Sequence, residues 1–369
     1  IMKKLLLFLG LFVISGVQSA SAQTWEEAYA VPNMLGDGGL LQPNIFSFSE
    51  IYMMQQHTTK ICENNSVIPR DRLGFHFDTL QTVQTGFDNL ADVPTYRNIQ
   101  EYRFWGEKTF LDENISLDLI VPLYYTSQYE IAGPQELSDH PLDGEFGDLA
   151  FGLKALVWED ADKAFSAGVR VEAPTASAIS IAGVPPFSPI TSTSVFELDA
   201  WYFTPWLGGQ WTPGTNWFAS AFVSYRLNSG AITNRYESPF PNSVNLRQPT
   251  YLFADLAIGR WIVQREGEGG ITSRAPVGEL HYTTTPTSGT EWGNSLPLGV
   301  YQSADDLGKT DYLNLTAALT GTFNDAWQFG IGGALPLRTG AVSYPGFADI
   351  DTDRTFSWAL MANLNYYFR

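Results

Sequence analysis

Apolar and polar side chains alternate with a period of two along most of this chain, which places successive side chains on opposite faces of a strand. The last segment is the clearest. Phe356, Trp358, Leu360, Ala362, Leu364, Tyr366 and Phe368 share one face, and Thr355, Ser357, Asn363, Asn365 and Arg369 share the other. Twelve such segments occur, near 71–81, 99–110, 114–127, 146–158, 163–174, 194–207, 216–228, 251–262, 276–285, 310–323, 326–337 and 355–368. Most run ~10–13 residues, which suits a tilted strand crossing a bilayer.

The connections alternate too. Asp112-Glu113, Glu159 to Asp162 and Asn324-Asp325 predict tight turns, while 128–145, 175–193, 229–250, 286–309 and 338–354 predict long polar loops. Short turns at one end and long loops at the other are the plan of an outer-membrane barrel. The connections 208–215 and 263–275 are longer than that plan expects. A soluble β-sandwich also alternates, but its strands are usually nearer ~5–6 residues. The expected fold is all-β: an antiparallel transmembrane β-barrel of about twelve strands over 71–369, preceded by a non-barrel segment at 23–70.

Composition agrees. Charged residues make up 16% and aromatics 14% of the 369 residues, against a globular norm of about 25% charged. Met2-Lys3-Lys4, the apolar run Leu5 to Val17 and the small residues Ala20-Ser21-Ala22 read as a signal peptide over 1–22, with a mature start at Gln23. Loss of Lys3 and Lys4 leaves 19 basic against 39 acidic residues, a net charge of −20. Such a chain repels nucleic acid. Cys62 is the one cysteine, so no intrachain disulfide forms. Residues 23–70 either tuck into the barrel lumen as a plug or lie below it in the periplasm. Outer-membrane lipid and a small-molecule solute are the expected partners.

Two features carry a resemblance. Tyr366-Tyr367-Phe368, followed by Arg369, is similar to the aromatic ending that the barrel-assembly machinery recognises on a C-terminal strand. Gly147-Asp148-Leu149-Ala150-Phe151-Gly152-Leu153-Lys154 and Ala167-Gly168-Val169-Arg170-Val171-Glu172-Ala173-Pro174-Thr175 resemble the paired-strand core of the "MetA-pathway of phenol degradation" barrel family. Where that core reads Val-Pro-Thr-Gly, this chain has Ala173-Pro174-Thr175-Ala176. Glu63-Asn64-Asn65-Ser66 with Pro69-Arg70-Asp71-Arg72, Glu107 to Leu111, and Ala275 to Thr285 resemble uncharacterised barrels common in planctomycete genomes. The resemblance implies a porin-like transporter of the bacterial outer membrane, handling aromatic or other hydrophobic compounds.

If the apolar faces meet lipid, the other faces line a lumen. By phase the inward candidates are His76, Asp78, Arg103, Trp105, Glu107, Asp118, Asp148, Lys154, Arg170, Glu172, Glu197, Asp199, Arg226, Asp255, Glu279 and His281. An Arg or Lys facing lipid would cost ~2–4 kcal/mol near the midplane, which favours this placement. The charges form either an acidic conduit for small solutes or a salt-bridge network bracing a closed barrel, whose role would then be structural or one of surface interaction through its loops. Trp158, Trp201, Phe203, Phe218, Phe222 and Tyr124 share the inward phase with Trp105 and form either an aromatic solute path or interior filling. No enzyme is expected: none of His57, His76, His140 and His281 stands by a serine in a lipase pattern. No cofactor or metal is expected either, since the chain has no His-x-x-x-His and no cysteine pair. The acidic loops, with Asp349, Asp351 and Asp353 in one of them, read as solvated faces.

Overall fold

A computed structural model describes residues 31–42, 50–52, 56–88, 93–130, 145–176, 179–183, 192–197, 199–213, 216–230, 232–236, 242–246, 249–265, 269–287, 311–342, 350–351 and 353–368. The signal-peptide expectation lies outside these residues. Twelve strands form the barrel: β1 (Arg72–Asp88), β2 (Val93–Phe110), β3 (Ile115–Glu130), β4 (Leu149–Asp160), β5 (Lys163–Ala173), β6 (Tyr202–Trp211), β7 (Trp217–Asn228), β8 (Thr250–Arg260), β9 (Ile271–Thr287), β10 (Asp311–Phe323), β11 (Trp327–Pro336) and β12 (Trp358–Tyr367). Each pairs antiparallel with the next in sequence. β12 then pairs with β1, from Trp358 opposite Gln81 to Tyr367 opposite Arg72, so the ring closes and no barrel strand is left as an edge. A short extra strand, Val263–Gln264, folds back on Ser273 and Arg274 of β9.

The tight turns are where the sequence places them. Leu111, Asp112 and Glu113 take φ of 52°, 52° and 67°, and Asn324 and Asp325 take 49° and 55°. Asn and Asp tolerate this left-handed region better than most residues. Both ends of the barrel chain, Arg72 and Tyr367, lie at this turn end. The connection after β6 is shorter than the sequence suggests, because the strand continues to Trp211. The connection before β9 is shorter because that strand begins at Ile271.

The segment 194–207 is not one strand. Ser192–Glu197 belongs to a separate four-stranded sheet with Ile179–Gly183, Ile232–Tyr236 and Asn242–Leu246, and β6 begins only at Tyr202. The loops 175–193 and 229–250 thus carry strands of their own. The interruption between them also shifts the phase. Tyr202, Thr204 and Trp206 point inward and are buried, while Trp201 and Phe203 face out, at 43% and 40% exposure, contrary to the inward expectation. Trp158 is likewise outside. The register slips between Leu156 and Trp158, so a bulge turns Trp158 to the outer face, opposite Phe165.

The outer face is the apolar one. Leu117, Phe151, Leu153, Leu207, Val223, Leu256, Ile258, Leu280, Leu315, Leu319, Ile331 and Leu360 are exposed there. At the turn end, Trp158 and Phe165 flank one turn, Trp211 and Trp217 the next, and Phe323 and Trp327 a third. Tyr366 packs at a tilt against Trp327, with ring centroids 4.8 Å apart. Trp201, Phe203 and Trp358 are exposed toward the loop end. Two aromatic girdles with an aliphatic band between them match a barrel seated in a bilayer. Leu319→Arg, in that band on β10, is expected to lower unfolding stability in lipid vesicles by ~2–4 kcal/mol, while Leu111→Arg in a turn leaves it within ~0.5 kcal/mol. Denaturant titration of both variants checks this.

Candidate functional site in the barrel lumen

The lumen is occupied by the chain's own N-terminal residues. Residues 31–39 and 58–67 are buried without exception. They form two runs that meet at a parallel bridge between Met34 and Glu63, where Asn64 N–H donates to the Met34 carbonyl at 2.9 Å. Leu40–Gln42 and Gln56–Thr58 pair antiparallel beyond it. Gly36 takes φ 87°, and a Cβ there would stand 2.3 Å from Glu63 Cγ, so glycine is required for the close approach.

Wall side chains from around the ring hold this segment. On β9, Glu279 accepts from the Leu35 and Gly36 N–H groups, each at 2.9 Å. On β10, Thr316 Oγ1 donates to the Gly36 carbonyl at 2.6 Å, and Asn314 Nδ2 donates to Asp37 at 2.7 Å. On β12, Asn365 Nδ2 donates to Asn64 at 2.7 Å. On β5, Arg170 donates to the Thr59 and Lys60 carbonyls at 3.2 and 3.1 Å, and Ser166 Oγ donates to the Val67 carbonyl at 2.6 Å. On β2, Arg103 pairs with Glu63 of the segment and with Asp78 of β1. Backbone carried into the lumen brings polar groups that need partners, and the wall supplies them.

Within the segment, Lys60 Nζ lies 2.6 Å from Asp37 Oδ2. Burial by itself would raise the Asp37 carboxyl and lower the Lys60 ammonium. Their mutual attraction, with His281 and Asn314 acting on Asp37 and Asp255 on Lys60, outweighs it, so Asp37 ends below and Lys60 above its ordinary value. The apolar side is just as specific. Val31, Met34, Ile61 and Val67 pack against Trp206, Phe218, Phe222 and Trp261. Leu35 packs on the opposite patch, with Leu80, Val83, Ile99 and Met361.

The structure brings most of the expected residues into groups. His76 Nε2 is 2.7 Å from Asp78, and Trp105 packs edge-on against His76, with ring centroids 6.2 Å apart. Glu107 receives Lys154 and Arg72, each at 2.8 Å, and Ser116 at 2.7 Å. Arg226 meets Glu172 at 2.7 Å and lies 3.5 Å from the Tyr202 ring centre. His281 stands between Asp255, at 2.9 Å, and Glu279, at 3.1 Å. Asp118 is half-buried on β3. Asp148 is half-buried just before β4, where it accepts from the Thr175 and Ala176 N–H groups at 3.0 Å and so ties down the loop after β5. Asp199 is exposed in the connection before β6, so the inward phase does not reach it. The side chains of Glu197 and His57, and His140 and most of the acidic loops, lie outside the described residues.

Sequence reasoning missed several participants. Arg72 and Glu101 share the inward phase of His76 and Arg103, so the period was there to find them. Asp37, Lys60, Cys62 and Glu63 belong to no periodic segment, and only the tertiary structure places them.

No protein-family model matches the chain, and no curated protein matches it in sequence. Among solved structures, it superposes on an outer-membrane channel from Pseudomonas putida F1 with a TM-score of 0.52 and 13% identity, covering 84% of this chain and 100% of that one. That likeness is one of fold. The chain has the closed fold of an outer-membrane β-barrel. The β domain of the Bordetella autotransporter BrkA (TM-score 0.45, 14% identity, 81% and 100% covered) and the Ralstonia pickettii toluene transporter TbuX (0.38, 11%, 82% and 90%) superpose more loosely.

Breaking a buried pair by removing one partner costs about 3–5 kcal/mol. Arg103→Ala leaves Glu63 and Asp78 facing each other without their cation, so a loss of that order is expected in denaturant unfolding. A companion Glu63→Gln change should recover part of it, since it removes one of the stranded carboxylates.

Proposed function

We propose that this barrel is a gated outer-membrane channel for passive uptake of small molecules, with residues 31–70 as its removable plug. The observation that carries this reading is that the bore is filled by an inserted segment rather than by side chains reaching across from the wall. Between larger wall residues such as Arg103, Arg170 and Trp206, several buried positions around the segment are small or short: Ser116, Ser166, Thr204, Ser220, Ser224, Thr316 and Thr320. A twelve-stranded ring has a backbone diameter of roughly 24 Å from strand spacing and tilt. Without the segment, a wall of mixed side chains leaves an opening on the order of 10 Å across.

The solute class follows from what the segment covers. Its apolar residues lie on Trp206, Phe218, Phe222 and Trp261. Uncovered, that wall offers an aromatic, hydrophobic track beside a polar, charged one, and aromatic or other hydrophobic compounds fit it. The resemblance of the β4–β5 strand pair to the phenol-degradation barrel family supports the same class. The aromatic ending of β12, which closes the ring against β1, supports recognition of that strand by the barrel-assembly machinery.

A structural barrel with a permanently closed lumen is the competing reading. It is favoured by the wall-to-wall grouping of Arg72, Glu107 and Lys154, which braces β1, β2 and β4 directly. Single-channel recording in planar bilayers separates the two. The full mature chain is expected to be silent or to open in brief steps, and the chain lacking 23–70 to show steady steps with cation preference. Silence from the folded, shortened barrel would overturn the channel reading for ions.

A further inference from the structure

Where the segment meets β8 and β9, three metal-ligating side chains of different chemistry converge. Asp255 and His281 are directly opposite each other on adjacent strands, both facing inward. Cys62 comes to them from the segment. The Cys62 sulfur, a carboxylate oxygen of Asp255 and a ring nitrogen of His281 all lie within 4.8 Å of one another, and all three residues are buried. Cys62 Sγ is 3.8 Å from His281 Nδ1, which is 2.9 Å from Asp255 Oδ1.

We propose that this cluster is a binding site for a borderline-soft divalent cation, Zn²⁺ or one of similar chemistry, which fastens the segment to the wall. Zinc bonds of about 2.0–2.3 Å at tetrahedral angles place neighbouring ligand atoms roughly 3.3–3.8 Å apart; the Cys62–His281 spacing of 3.8 Å falls in that range, and the 2.9 Å hydrogen bond between His281 and Asp255 would open by a few tenths of an ångström on loading. A thiol and an imidazole together select such a cation over Ca²⁺ or Mg²⁺, which take oxygen ligands.

Two further observations point to a cation. Asp255 Oδ2 is buried with no hydrogen-bond partner, an acceptor left over after Oδ1 has met His281. The far side of the imidazole is built as metal-binding histidines usually are: His281 Nε2 is 3.1 Å from Glu279, whose two oxygens are fixed by the Leu35 and Gly36 N–H groups. With Nε2–H donated to Glu279, the Nδ1 lone pair is left for the cation. Among the described residues, His281 is the ion-pair partner of both Asp255 and Glu279, and Lys60 is engaged by Asp37. The cation takes the place of the protons otherwise held among the thiol, Nδ1 and the carboxylate. Three protein ligands leave a fourth position for water or for Asp255 Oδ2.

The site rests on this geometry and not on transport, so silence in a bilayer leaves it standing. The test uses the full mature chain refolded in detergent, stripped with chelator and dialysed against Zn²⁺ or Co²⁺. About one Zn²⁺ per chain is expected to survive gel filtration, and the Co²⁺ form should show tetrahedral visible bands with a thiolate-to-cobalt charge-transfer band. Cys62→Ser should abolish that band, and Glu279→Gln should weaken binding ~10–100-fold. Should Cys62→Ser fail to fold, X-ray absorption on the zinc-loaded wild type decides, with one sulfur in the first shell expected. Folded wild type that retains no zinc, a first shell without sulfur, or binding undiminished in Cys62→Ser would each overturn the proposal.

Discussion

Backbone N–H and C=O groups have no water to bond within a hydrocarbon layer, and each unsatisfied one costs several kcal/mol. That constraint governs the whole molecule. It forces the strands to close into a ring, so that the last pairs with the first, Trp358 opposite Gln81 and Tyr367 opposite Arg72. Closure then divides every strand into two faces with opposite requirements. The outer one carries Leu319, Ile331 and Leu360 into lipid, and the inner one collects charges that lipid would not accept.

A ring of twelve strands has an interior too wide for its own side chains to fill, and the chain fills it with a second piece of backbone. That choice reproduces the original constraint on a smaller scale, because the inserted segment has peptide groups of its own. Glu279 takes two of its N–H groups, Arg170 and Ser166 meet its carbonyls, and Thr316 meets another. The polar lumen is therefore neither a bare aqueous conduit nor a self-contained salt-bridge lattice. Much of its charge is arranged around a peptide, and Arg103 shows this best, joining Glu63 of the segment to Asp78 of the wall.

In the proposed channel, the same arrangement ties opening to the integrity of a few contacts. The segment sits on apolar patches to either side, and polar clasps hold it between them. On that proposal, a change that loosened the clasps would uncover an aromatic wall. The convergence of Cys62 with Asp255 and His281 lies at one such clasp, between the segment and the β8–β9 pair.

Period-two alternation, taken with strand length and the alternation of short turns and long loops, determined the barrel, its twelve strands, the turn end and the inward placement of residues such as Lys154, Arg226 and Glu279. These are local properties, since a strand in lipid writes its two environments directly into alternate positions. Where a bulge or a break shifts the phase, as at Trp158 and between Glu197 and Tyr202, the period misassigned the face, because one extra residue inverts everything after it. The contents of the lumen were decided by tertiary structure alone. Asp37, Lys60, Cys62 and Glu63 lie in a stretch without regular period, and their partners are up to 277 residues away in sequence, as between Asp37 and Asn314. No local pattern records a contact whose geometry exists only once the ring has closed around it.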